Sequence, residues 1–343
     1  MSSRSSLGQT LSVSFINRRP CEGHFSLEGY FKRIAEALRS MDVDVQYNTS
    51  PYTSQGVLRR LKTVAFAARH QADINHITGD IHFAACGMDP ARTVVTVADC
   101  GRLHQLSGFK REVLRQFWFQ LPLTRAAAIT VISQAVKEDV LTWVPDLDPD
   151  RVHVVPISIS PQFAFAPQPF HHANPRILQI GTKANKNIPR LAQALRGLNV
   201  TLVIIGKLND ALIQVLDDSN IHYENHSNIS EEQVIDLYRS SDLIAFASTL
   251  EGFGMPILEA QVVGRPVVTS NCTSMPEVAG GAALLVDPYS VESIRDGILR
   301  IINDADYRDK LIQKGRLNAQ RYTTEAIASE YLRIYQSILC NHR

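Results

Sequence analysis

Two carboxylates eight positions apart, Glu251 and Glu259, stand in the run "TLEGFGMPILEAQVVG", with Gly252 and Gly254 on either side of Phe253. A plain core helix requires neither those residue types nor that spacing. Glycines let backbone approach a ligand closely. The helix that follows, entered at Met255 and Pro256 and stopped at Gly264, turns unpaired N–H groups and the positive end of its dipole toward any anion at the loop. Glu259 lies about one turn inside that helix, roughly 5 Å along its axis. The two carboxylates are therefore spaced for separate parts of one long ligand, not for a shared proton. Cations stand in two further loops. "QIGTKANKN" sets Gly181, Lys183, Lys186 and Asn187 just before a helix, and "VIIGKLND" sets Gly206 and Lys207 at the end of a strand. Lysines there reach phosphate as mobile point charges. Three strand ends that deliver glycine, lysine or carboxylate to one edge suit a diphosphate-bearing ligand. The bland alternative, solvated glutamates and loop lysines around a capped helix, uses the same residues.

Elements that would position these groups are legible as short β-branched runs alternating with amphipathic segments. "LSVSFIN" (11–17), "VDVQYN" (43–48), "INHIT" (74–78), "TVVTVAD" (93–99), "AITVIS" (128–133) and "RVHVVP" (151–156) read as strands. "LEGYFKRIAEALRSM" (27–41) and "GVLRRLKTVAFAARHQ" (56–71) read as helices between them. The rhythm breaks at 157–175, where four prolines suggest a linker. It restarts with "RILQIG" (176–181), "NVTLVIIG" (199–206), "DLIAFAS" (242–248), "RPVVTS" (265–270) and "AALLVDP" (282–288). Strand–helix alternation implies crossovers and mostly parallel sheets. At 343 residues the chain exceeds what one compact core holds. The expected fold is α/β: two tandem Rossmann-like doubly wound domains with a ligand cleft between them. The expected boundaries are 1–160 for the first domain, 161–175 for the linker, 176–322 for the second domain, and 323–343 for a terminal helix that crosses back to the first.

A formal charge of +1 disfavours a nucleic-acid partner. Residues 1–130 hold 16 Lys/Arg against 10 Asp/Glu, and the remainder 19 against 24. Five scattered cysteines without a CxxC pair point to reduced thiols, not to a disulfide framework or a zinc site. The acidic run "PDLDPD" (145–150) reads as a surface turn, and no metal or cofactor is expected. With no leader-like or membrane-spanning apolar run, a cytoplasmic protein is expected, with contact at the inner membrane face left open.

The segment "TLEGFGMPILEAQVVGRPVVTS", followed by "SMPEVAGGAALLVDP", together with the "IGTKANKN" loop, resembles the donor-binding half of retaining nucleotide-sugar glycosyltransferases of family four, which have the two-domain B-type fold. The similarity runs through most of 176–322 and more loosely through 74–140. It implies a nucleotide diphosphate sugar as co-substrate, with Glu251 facing the sugar and Glu259 bonding the ribose. The backbone of Gly252, Phe253 and Gly254 would touch sugar and diphosphate, and Lys186 would neutralise the leaving diphosphate. An arginine often follows the loop glycine in that family. Thr182 stands there here, which leaves Lys183 or Lys207 as the second cation.

The first domain departs from the pattern. Where the family reads Thr-x-His-Asp, this chain reads "VVTVADCGRLHQL", with Ala98 in the histidine's place and Asp99 retained. Alanine neither donates a hydrogen bond nor takes a proton. His104 or Asp99 takes over, or the substitution inactivates, or the protein binds without catalysing. Gly23 and His24, in the loop before the first helix, complete the acceptor-side set, with Ser26 as that helix's N-cap. "LSGFKREVLRQFWFQLPLTR" (106–125) interleaves Lys110, Arg111, Arg115 and Arg125 with aromatics. Such a segment either lies on an anionic bilayer, as a lipid-linked glycan acceptor would favour, or packs its aromatics into the core. A nucleotide-sugar epimerase is the rival enzyme class.

Overall fold

The computed structural model describes residues 10–19 and 26–340. Gly23 and His24 lie outside the described residues, as does the side chain of Ser26. The chain forms two compact units, Met1–Ser158 with Thr324–Arg343, and Ile159–Thr323.

In the first unit the strands are β1 (Ser12–Asn17), β2 (Asp44–Thr49), β3 (Ile74–Ile77), β4 (Thr93–Val97), β5 (Ala128–Val131) and β6 (Val152–Val154). They form one parallel sheet in the order β2-β1-β3-β4-β5-β6. The order reverses between β1 and β3. Buried residues fill β3, β4 and β5 from end to end, as a sheet covered on both faces requires. The Thr324–Cys340 helix contributes Ile327, Tyr331, Tyr335 and Ile338 to this unit's core, beside Phe15, Tyr30 and Phe31. Tyr335 is stitched in by its hydroxyl, 2.7 Å from Nδ1 of the buried His76, whose Nε2 lies 2.7 Å from Thr96 Oγ1. Burial holds the His76 pKa down to about 3.

The second unit carries β7 (Arg176–Ile180), β8 (Thr201–Ile205), β9 (His222–His226), β10 (Leu243–Phe246), β11 (Val267–Ser270) and β12 (Leu284–Val286). Its order is β12-β11-β10-β7-β8-β9, again all parallel. The order therefore reverses between β7 and β10, and at such a reversal the loops leaving the two strands part and open a crevice at their carboxyl ends. Those loops are "GTKANKN" and "STLEGFG". The strand β9, "HYENH", is absent from the expected set. As a polar edge strand with only Tyr223 as an apolar member, it lacks the periodic signal that marks its neighbours.

The 161–175 stretch, expected as a linker, carries no helix or strand and packs as a strap on the second unit. Ala166 N–H donates to Val263 O (3.1 Å), and Gln168 Nε2 donates to Ser241 O (2.8 Å). The His171 N–H and Nδ1 both meet the buried Asp242 carboxylate, at 3.0 and 2.9 Å. Arg316 and Arg308 lie over Phe165 and Phe170. Prolines supply no donors, and the bonds just named tie the strap to the unit it covers.

Candidate functional site

The loop after β7 and the loop after β10 are fastened to each other. Thr249 N–H donates to Asn185 O (2.8 Å), and Asn185 Nδ2 donates to Leu250 O (2.8 Å) and Glu251 Oε1 (3.1 Å). Asn187, in a left-handed conformation (φ 59°) that asparagine tolerates, donates from Nδ2 to Ala247 O (3.0 Å) and Pro288 O (2.7 Å). Two asparagines thus fix the walls of the crevice, and the sequence reading assigned neither of them a role.

Lys186 Nζ lies 2.7 Å from Glu251 Oε1 and 4.6 Å from the centroid of the Phe246 ring. Only 17% of the lysine side chain and 15% of the glutamate's is exposed. An ammonium has three protons to give. With one on Glu251, the others stay available to phosphate oxygens. Gly181 leaves room for this lysine. Its φ is +86°, and a Cβ there would sit 2.8 Å from Lys186 Cε. The two residues expected to serve the diphosphate and the sugar are therefore brought together.

The Met255–Val263 helix begins at Gly254, whose φ of 109° suits glycine, and carries Pro256 in its first turn. The buried Ser274 hydroxyl donates to Phe253 O (2.7 Å) and lies 3.0 Å from Glu251 O, which turns the carbonyls of this loop toward the interior. The Phe253 ring is itself buried, 6.0 Å from Tyr322. With loop carbonyls and ring anchored, the N–H groups of Phe253, Gly254 and Met255 at the helix entrance are the ones available to an anion. Gly252 lies in the same loop and is half-buried.

Glu259 is set by a residue the sequence reading did not single out. Tyr238 is fully buried, and its hydroxyl donates to Glu259 Oε2 at 2.5 Å. Burial, and then the neighbouring carboxylate, push the phenol pKa well above its usual value, so Tyr238 remains a donor. Its helix, Glu231–Ser240, is started by a capping box between Ser230 and Gln233. The Phe163 ring meets Tyr238 edge-on at 5.4 Å. The signal in sequence was the single aromatic in "EEQVIDLYRS", which by itself reads as core.

The remaining cations stand further out. Thr182 Oγ1 donates to Lys207 O (2.8 Å), and Gly206, also at the end of β8, lies beneath Thr182. The Lys183 and Lys207 side chains are exposed. The structure joins neither of them to the Lys186–Glu251 pair.

In the first unit, Ala98 and Asp99 follow β4 at its carboxyl end. Asp99 is exposed and accepts the Gly101 N–H at 2.8 Å, which starts the short Gly101–Gln105 helix. His104 turns to Asp139, its Nε2 lying 2.9 and 2.8 Å from the two carboxylate oxygens. A different histidine, His82, is buried beside Asp99. Its Nδ1 lies 3.1 Å from Trp118 O. Burial lowers its pKa, against the pull of the Asp80 charge, the Trp118 carbonyl and the Asp99 charge. In the 106–125 segment Trp118 and Phe119 are buried, as packing into the core requires, while Phe109 and Phe117 are exposed. Asp146, Asp148 and Asp150 are exposed, and Asp148 caps the turn Pro149–Arg151. Among the described residues no group of three or more His, Cys, Asp or Glu is placed to hold a metal ion, the four cysteines are free, and no helix is long and apolar enough to cross a membrane.

Comparison with known proteins bears on this geometry. The family described as "Glycosyl transferases group 1" matches residues 162–318. The O-antigen chain mannosyltransferase B of Escherichia coli is 33% identical over 173 residues, which cover 46% of this chain and 45% of that protein. The chain spans about half the length of the curated relatives it matches. Among solved structures, sucrose-phosphate synthase from Thermosynechococcus elongatus superposes with a TM-score of 0.77 at 16% identity, over 96% of this chain and 100% of that one. Anabaena Alr3699/HepE in complex with UDP and glucose gives 0.74 at 16% identity, over 95% and 100%. Identities that low speak to the fold alone. With the family match lying on the second unit and the fold shared along nearly the whole chain, residues 162–318 match the glycosyl transferases group 1, and the protein carries the B-type glycosyltransferase fold of two Rossmann-like units.

Proposed function

We propose that the protein transfers a hexose from a UDP- or GDP-linked sugar to a glycan or lipid-linked acceptor, with retention at the anomeric carbon, in the assembly of a surface polysaccharide. The observation that carries this reading is the Lys186–Glu251 pair at the reversal point of the second sheet, 2.7 Å apart and walled by Asn185 and Asn187. In the reaction the bond between the anomeric carbon and the phosphate oxygen breaks, and its electron pair leaves with the diphosphate. Lys186 and the N-terminus of the Met255–Val263 helix meet the charge that builds there, as preorganised donors do. That countercharge comes from the chain itself, and the reading invokes no metal ion. The acceptor hydroxyl attacks from the same face, and its proton passes to the departing phosphate oxygen. Glu251 orients the sugar and steadies the cationic carbon, and Glu259 holds the ribose. The matched relative's name makes mannose the first sugar to try.

The reading is tested by melting the protein with a panel of nucleoside diphosphates and their sugars. Ligands of the native state raise the midpoint by mass action. One nucleoside diphosphate should stand out, and Lys186→Ala should weaken its binding by about tenfold or more, as loss of a charge-assisted bond does. A flat panel overturns the donor site. Transfer is then followed with the selected donor, with product anomer read by NMR. A protein that binds but transfers only as Ala98→His is a nucleotide-sugar binder.

A further inference from the structure

The helix Val57–Arg69 has two faces with different fates. Thr63 and Ala67 are buried, and Arg60 stacks on the Trp118 ring at 4.4 Å, so that side packs on the first unit. The opposite side should be polar on a helix that ends its business at the protein surface. It is not. Leu58, Leu61, Ala65 and Ala68 recur at spacings of three and four and are all exposed, with Val57 beside them. Leu58 is 76% exposed. The Arg60–Trp118 stack sets this helix alongside the 108–120 segment. There Phe109 is 82% exposed, Phe117 is exposed, and Leu121 follows. Half of the large exposed hydrophobics among the described residues fall in these two segments.

Charge decides what could cover such a face. Residues 56–69 and 106–125 together hold eight Lys/Arg and one acid, Glu112, which is already paired with Arg115 at 2.6 Å. Arg59, Lys62 and Arg69 flank the apolar stripe, and Lys110 follows Phe109 directly. An apolar stripe bordered by cations and nearly free of acids matches an anionic lipid surface, where side chains enter the acyl boundary while the cations stay among the headgroups. A second protein would need acids placed to match, and a second copy of this chain would set like charges against one another.

We propose that the Val57–Arg69 helix and the 108–121 segment form a single face that docks the first unit on an anionic phospholipid bilayer. Both segments leave the carboxyl edge of the first sheet, the edge at which Asp99 stands. A membrane-borne acceptor and this face would thus come from one side. The docking face does not depend on the transferase reading, because vesicle binding is measured without donor or acceptor.

The test is co-sedimentation with vesicles of equal parts phosphatidylglycerol and phosphatidylcholine, against vesicles of phosphatidylcholine alone. The protein should sediment with the first and not the second, and binding should weaken as salt rises. Leu58→Ser with Leu61→Ser, through lost apolar burial, and separately Lys62→Glu with Lys110→Glu, given roughly fivefold per basic residue near the surface, should each lower partitioning about tenfold or more. All four positions are exposed, so the variants should melt as the parent does. Equal partitioning of parent and variants overturns the proposal, as does equal binding to both lipid mixtures. A concentration-dependent dimer that forms without lipid and is lost in Leu58→Ser with Leu61→Ser overturns it in favour of a second copy.

Discussion

Tyr238 and Glu259 show how a site residue depends on one behind it. The Glu259 carboxylate accepts from the buried phenol of Tyr238, itself held edge-on by Phe163, and that bond fixes where the carboxylate stands. Tyr238 is thus a positioning residue. Tyr238→Phe keeps the packing and removes the donor. A hydrogen bond to a charged group contributes about 1.5–3 kcal/mol, so the donor KM should rise by about tenfold or more while kcat stays within about twofold. A kcat that falls with KM unchanged would show that Glu259 serves the reacting sugar instead of the nucleotide. Glu251, Glu259 and Lys186 stood out in sequence through the glycines and helix starts beside them and through the family resemblance, and the structure pairs Lys186 with Glu251. Asn185 and Tyr238 did not, because their bonds run to partners some 20 to 70 positions away in the chain, which no local pattern carries.

Eleven of the twelve strands were legible as elements, since a strand buried on both faces must be written in apolar, β-branched residues. The exceptions are instructive. β9 faces solvent along one side and needs no such run. The 161–175 strap has the composition of a linker, and only its bonds to Asp242, Ser241 and Val263 make it part of the second unit. Loop geometry is likewise invisible until φ is known. At Gly181 the left-handed conformation costs an alanine about 1–2 kcal/mol, and the added carbon would push against the Lys186 chain. Gly181→Ala should therefore lower the melting midpoint by a few degrees and weaken nucleoside diphosphate binding several-fold. In a Lys186→Ala background the loss of binding should vanish while the loss of stability persists, because only the first acts through the lysine. Full loss of binding in both backgrounds would locate the effect in the loop backbone.

Across the molecule, the first unit is closed by the far end of the chain. Ile327, Tyr331, Tyr335 and Ile338 complete its core, and the His76–Tyr335 bond ties residues 259 positions apart. That tie depends on a neutral imidazole environment. In the unfolded chain His76 titrates near 6.5, whereas burial holds it down to about 3 in the fold. Between those values the unfolded state carries the extra proton, so the stabilisation is whole above 6.5 and drains away as pH falls toward 3. The buried His82 and half-buried His153 are lowered as well and act in the same direction. Urea midpoints at about pH 7.5 and about pH 5 should show a marked loss, approaching about 1.4 kcal/mol per pH unit for each proton taken up. His76→Gln should be weaker at the higher pH yet fall less steeply. An unchanged slope would exclude His76 as the source.

The same seventeen-residue helix orders events during synthesis. Residues 159–323 form their unit from one uninterrupted stretch, whereas the first unit waits for the Thr324–Cys340 helix to leave the ribosome. The unit begun before the other is thus finished after it. A message cut short before that helix would release a chain whose second unit is whole and whose first unit still shows its bare core to chaperones and proteases.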